Sequence, residues 1–89
     1  MTNQNHDYLG KYCYVDLLKN ISKMRVPAAA KGPMYVALRK VTGENEKIHG
    51  LIVDAPIQGK FWSILWDGKI VHIYKSDQHS YPYGVKIKS

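Results

Sequence analysis

The sequence predicts an α+β fold: one N-terminal helix followed by about five short antiparallel strands. These would form either a small SH3- or Sm-like barrel or an open sheet with the helix packed on one face. Three observations predict it. Helical periodicity occurs once, over residues 14–25. Short β-rich runs separated by turn residues fill the rest of the chain. And "FWSILWDGKIVHIYKS" (61–76) places Asp67-Gly68 between two such runs, the strongest short-range hairpin signal, because a type I′ turn needs positive φ at both central residues.

The elements follow in order. Residues 1–10 carry no periodicity and are expected to pack loosely. In "YVDLLKNISKMR" (14–25), Leu17, Ile21 and Met24 recur at i, i+4 and i+7, while Lys19 and Lys23 fall on another side. Pro27 closes that helix, since the residue before a proline avoids helical angles. "PAAAKGP" (27–33) reads as a connector. "MYVALRKV" (34–41) alternates Met34, Val36 and Leu38 against Tyr35, Ala37 and Arg39, the pattern of a half-buried strand. "TGENE" is a turn and "KIHGLIVD" (47–54) a second strand, so these two are expected to pair as a hairpin. The Asp67-Gly68 hairpin follows, then the polar-aromatic loop "SDQHSYPYG", then a last strand "VKIK" (85–88) with Val85 and Ile87 inward.

The turn sets the hairpin's register. Trp66 faces Lys69, Leu65 Ile70, Ile64 Val71, Ser63 His72, Trp62 Ile73 and Phe61 Tyr74. Side chains alternate across a strand, so one face carries Trp62, Ile64, Trp66, Val71 and Ile73 and is plainly core. The other carries Phe61, Ser63, Leu65, Ile70, His72 and Tyr74, too aromatic for an ordinary solvated face. Three uses of that second face compete: core beneath the helix, a seam between copies of the chain, or a binding platform.

Composition narrows the partners. The 89 residues are expected to form a single domain, 1–89, with 45% hydrophobic and 22% charged residues. No apolar run reaches the ~20 residues of a membrane span, and "MTNQNHDYLG" lacks the basic start and apolar run of a signal peptide. With Cys13 alone there is no internal disulfide, and a reducing cytoplasm is the expected compartment. The net charge is +6 and unevenly placed: residues 11–40 hold seven lysines and arginines against Asp16 alone. That asymmetry favours an anionic partner, commonly nucleic acid.

Phe61, Tyr74 and His72 on one face, flanked by Lys60 and Lys75, combine flat rings with positive charge. This is the chemistry of single-stranded nucleic-acid binding, where rings stack on bases and lysines follow phosphates. Arg39 and the loop tyrosines Tyr81 and Tyr83, braced by Pro82, complete the candidate contact set.

Catalytic constellations are sparse, and the expectation is a non-enzymatic binding module without catalytic residues, metal or cofactor. His72 has no acid beside it in sequence. Asp77-x-His79 is a short pair without the spacing of a metal site. Cys13 lacks a recognisable histidine partner, no Gly-rich phosphate loop occurs, and Glu44 and Glu46 belong to a turn.

"AAKGPMYVALRKV" (29–41) and "LWDGKIVHIYKSD" (65–77) together resemble small phage proteins that sequester nucleotide immune signals, chains that also have a leading helix and an Asp-Gly-x-Ile-Val step. The resemblance covers about a third of the chain. The tryptophan and acidic positions specific to that family are missing, and no residue role carries over. It implies an alternative reading: a phage or viral accessory protein that inhibits a host protein or sequesters a small anionic, nucleotide-like ligand.

Overall fold

The computed structural model describes residues 3–76 and 78–88. The elements are β1 (Tyr12–Asp16), α1 (Leu17–Ser22), α2 (Ala28–Thr42), β2 (Lys47–Asp54), β3 (Phe61–Trp66), β4 (Lys69–Tyr74) and β5 (Val85–Ile87). The strands form one antiparallel sheet in the order β4-β3-β2-β1-β5. The fold is therefore α+β with an open five-stranded sheet and two helices.

The barrel does not close, yet it comes near to closing. The end strands β4 and β5 do not pair; α1 stands between them. Its buried Asn20 donates to the Tyr74 carbonyl (2.9 Å) and the Tyr83 carbonyl (2.9 Å) and accepts from the Tyr74 N–H (3.2 Å). One side chain thus links β4 to the turn before β5, and three hydrogen bonds stand where a strand ladder would have completed a barrel.

The hairpin β3–β4 has the expected register at all six pairs, from Phe61–Tyr74 to Trp66–Lys69. Asp67 and Gly68 both have positive φ (50° and 72°), as a type I′ turn requires. A β-branched residue resists that region, so Gly68→Val should lose about 1–2 kcal/mol and roughly 4–15 °C in Tm. An unchanged Tm by differential scanning calorimetry would contradict this account of the turn.

The first half of the chain departs from expectation. Residues 12–16 are a strand, so the helix predicted over 14–25 shrinks to α1. "YCYVD" alternates Tyr12 and Tyr14 outward with Cys13 and Val15 inward, and Asp16 then caps α1 by accepting the Lys19 N–H (3.1 Å). The expected inward set is buried: Leu17 and Ile21 within α1, and Met24 just beyond its end.

The connector 27–33 and the strand 34–41 are instead one helix, α2, and no hairpin joins 34–41 to β2. Three alanines at its start and Leu38, Arg39 and Lys40 near its end are good helix formers. Pro33 sits at its sixth position, where its missing N–H costs a single intrahelical bond. The apparent alternation of Met34, Val36 and Leu38 breaks down in three dimensions. Residues 30, 31, 34, 35, 38, 39 and 42 face the body at helical spacing, while Val36 is 56% exposed. Thr42 and Asn45 close the helix end by bonding across it, Asn45 Nδ2 donating to the Thr42 carbonyl at 2.8 Å.

The tryptophan row is core, as expected. Trp62, Ile64, Val71 and Ile73 are buried with Cys13, Val15, Leu17, Ile48, Ile52 and Ala55, and Trp66, Leu38, Val85 and Ile87 pack around them. Both helices therefore serve this side of the sheet. The chain start is also drawn in rather than loosely packed. Asn5 donates to the Ala55 carbonyl, the Gln4 side chain holds Asp54 and the Ala55 N–H, and the Tyr8 ring lies 5.3 Å from that of Trp62. Among the described residues no helix is long and apolar enough to cross a membrane.

Candidate functional site

With both helices on the tryptophan side, the opposite face of the sheet is open except at its β4 margin, where Phe61, Ile70 and His72 share a groove with Ile21, Met24, Met34, Leu38 and Val41. Cross-strand registers define its rows. One row runs across four strands: Tyr12 opposite Leu51, Leu51 opposite Leu65, Leu65 opposite Ile70. These four are 41%, 36%, 39% and 47% exposed. At about 4.8 Å per strand, the row is roughly 15 Å of apolar surface in water.

A second row holds Lys86, Tyr14 and His49 side by side on β5, β1 and β2. Tyr14 is 45% exposed. The Tyr12 hydroxyl lies 2.9 Å from His49 Nδ1, and both tyrosine rings tilt against the imidazole with centroids under 6 Å apart. The Lys88 ammonium is 6.0 Å from each tyrosine ring centroid, within cation–π range. This corner is a group of three rings with the Lys88 ammonium over two of them and Lys86 alongside.

The predicted site residues scatter by comparison. Phe61 stands on the open face, 44% exposed, edge-on to Tyr74 with centroids 6.0 Å apart. Tyr74 is half-buried. His72 is exposed on the same face, its Nδ1 3.1 Å from Ser63 Oγ. That contact is a cross-strand hydrogen bond between direct partners, and among the described residues no carboxylate bonds the other ring nitrogen of His72. Lys60 is exposed at the start of β3.

Lys75 is a correction. It is fully buried, and its ammonium donates to the carbonyls of Ile57 (3.1 Å), Ser76 (3.2 Å) and His79 (2.9 Å). Three donors meet three acceptors, so the side chain ties loops together and does not reach a phosphate. Lys75→Ala should cost on the order of 2 kcal/mol because three part-buried carbonyls lose their donor. Urea denaturation measures it, and an unshifted midpoint would contradict this role.

Arg39 is also displaced, since it belongs to α2 and not to a strand. It pairs with Glu44 at 3.5 Å and lies 5.7 Å from the Tyr35 ring centroid. Tyr81 and Tyr83 are exposed, but they leave the Phe61 row. Tyr81 lies against Tyr8 on the core side, and the Tyr83 hydroxyl is 3.1 Å from His79 Nε2.

Tyr12, Tyr14, His49, Lys86 and Lys88 were not singled out by sequence reasoning. The alternation in "YCYV" is a signal for Tyr12 and Tyr14 that a helical reading of 14–25 masks; His49, Lys86 and Lys88 join them only through strand pairing. Burial pushes the Cys13 thiol up to about 11, against a smaller opposing effect of the Gly50 backbone, so it stays protonated at neutral pH and is a poor nucleophile. Among the described residues no three His, Cys, Asp or Glu side chains gather as a metal site would need; Asp77, of the Asp77-x-His79 pair, lies outside the described residues. Compared with protein-family models, curated proteins and solved structures, the chain finds no match.

Proposed function

We propose that this chain is a small, basic, non-enzymatic module that binds single-stranded nucleic acid on the open face of its sheet. One observation carries the reading: Tyr12, Tyr14 and Phe61 stand 41–45% exposed on that face, with Lys88 over two of the rings and Lys86 beside Tyr14. Exposed rings on a sheet surface accept bases of any sequence, because every base has a π-face. Phosphates would be met by the exposed lysines that alternate onto this face, Lys47, Lys86 and Lys88.

Fluorescence polarisation with labelled oligo-dT and oligo-rU, read across a salt series, tests this. Binding should weaken steeply with salt, and Lys86→Ala and Lys88→Ala should each reduce the slope by about 0.7 if each lysine meets one phosphate. Tyr14→Ala should lose about 1–3 kcal/mol of affinity, roughly five- to 150-fold, with little change in Tm because the ring is exposed. Binding that ignores salt, or that survives Tyr14→Ala and Phe61→Ala, contradicts the reading.

The apolar row Tyr12–Leu51–Leu65–Ile70 favours a second reading, in which the same face grips a protein, as an accessory inhibitor would, or a second copy of the chain. Such an interface is carried by apolar burial and weakens little with salt, which separates the two.

A further inference from the structure

The terminal strand β4 offers a second surface at the margin of the open face, where Phe61, Ile70 and His72 meet the helices. Its pair Trp66–Lys69 adjoins the two-residue turn, so those residues exchange backbone hydrogen bonds, and so do Ile64–Val71 and Trp62–Ile73. The N–H and C=O groups of Ile70, His72 and Tyr74 therefore point away from β3. Those of Tyr74 are taken by Asn20. Among the described residues, those of Ile70 and His72 have no partner.

Beside this bare edge runs a groove of about 290 Å³, walled by Ile21 and Met24 from the α1 side, by Met34, Leu38 and Val41 of α2, and by Ile70 of β4. Its lining is almost wholly apolar, and the methionines can adapt to different side chains. The helices that wall it are basic, with Glu44, paired to Arg39, and Asp67, in the turn before Lys69, as the nearby carboxylates. Residues 17–43, which form both helices and their connection, hold six lysines and arginines and no carboxylate. Lys69 closes one end, its ammonium 3.3 Å from the Val41 carbonyl.

We propose that this edge and groove take an extended acidic segment of a partner protein, which adds to the sheet as a sixth strand beside β4. The free N–H and C=O groups of Ile70 and His72 supply a ladder that only another extended peptide can complete, and alternate side chains of that peptide enter the apolar groove. The charge selects the occupant. A second copy of this chain would bring the same cations against these, whereas carboxylates alternating with apolar residues satisfy both the rim and the floor.

The test is amide hydrogen exchange by NMR on the full chain, with a short capped peptide of alternating Glu and Val as probe and the Lys-Val peptide as its control. The Glu-Val peptide should slow exchange at Ile70 and His72, and the Lys-Val peptide should bind at least about tenfold more weakly. Val41→Glu places a carboxylate on the groove wall at a position 38% exposed, so it should leave the fold intact and weaken the Glu-Val peptide about tenfold. His72→Pro removes an outward N–H without breaking the β3 ladder and should weaken it as well. Equal binding of both peptides, or no slowing at Ile70 and His72 with the Glu-Val peptide, overturns the proposal. So does a free chain that sediments as a dimer with those two amides already protected, since a second copy would then be the occupant. Slowing of these amides by oligo-dT in place of the peptide would overturn it too.

Discussion

Trp62→Ala should cost roughly 3–5 kcal/mol, a large share of the ~5–15 kcal/mol that stabilises a typical domain. Trp62 is fully buried at the centre of the core cluster, paired to Ile73 across the hairpin and contacted by the Tyr8 ring. Removing it therefore unseats the chain start as well as the sheet face. Its neighbour Phe61, one residue away and on the opposite face, should tolerate alanine with little change in Tm, since its ring stays largely in water. Trp62 also carries the single buried side-chain polar atom without a hydrogen-bond partner among the described residues, its indole N–H. Trp62→Phe removes that unsatisfied donor while keeping a ring, and should cost much less than alanine. Urea midpoints of the three variants check the ordering. A Phe61→Ala loss larger than that of Trp62→Ala would mean that the two faces of the sheet are exchanged.

Gly50→Ala should be at least as damaging. Gly50 lies on the core side of β2 between Ile48 and Ile52, opposite Cys13 of β1. A Cβ placed there would collide with the Leu65 backbone carbonyl and lie 2.9 Å from Ile64 Cγ2. Both obstacles belong to the neighbouring strand, so β2 and β3 would have to part, and a carbonyl in a ladder cannot yield as a side-chain end can. A glycine in a strand often marks such close approach of backbones. The expected loss exceeds about 3 kcal/mol, enough that the variant should show collapsed amide dispersion by NMR at 37 °C. A well-dispersed spectrum and an unchanged midpoint would contradict the packing of β3 on β2.

The second half of the chain was legible because its signals are local. Asp67-Gly68 dictates a turn through φ alone, and once the turn is placed, the register and both faces of β3 and β4 follow by counting. The first half was not, because period-2 and period-3.6 patterns coincide over short stretches. Met34, Val36 and Leu38 satisfy a strand template over five residues, and Pro33 looks like a terminator when it sits in the first turns of a helix. Only the packing of residues 30 to 42 against the body separates the two. The same ambiguity conceals β1, because the helical repeat from Leu17 onward extends backward through Tyr14 without a break.

The candidate site was half legible for the same reason. Phe61 and His72 could be placed because the hairpin could be placed. Tyr12, Tyr14 and His49 come together with Lys86 and Lys88 only through pairing of strands far apart in sequence, β1 with β2 and with β5. Lys75 shows the opposite failure. Nothing in "YKSDQ" signals that a lysine will be buried, since its three carbonyl acceptors come from two separate loops.

If the open sheet face binds single-stranded nucleic acid, an amide and side-chain chemical-shift map of the full chain with a short oligonucleotide at low salt will show it. The largest shifts should fall on Tyr12, Tyr14, His49, Phe61, Lys86 and Lys88 and fade as salt rises. Shifts absent at low salt, or confined to α1 and α2 on the other side of the sheet, would contradict it.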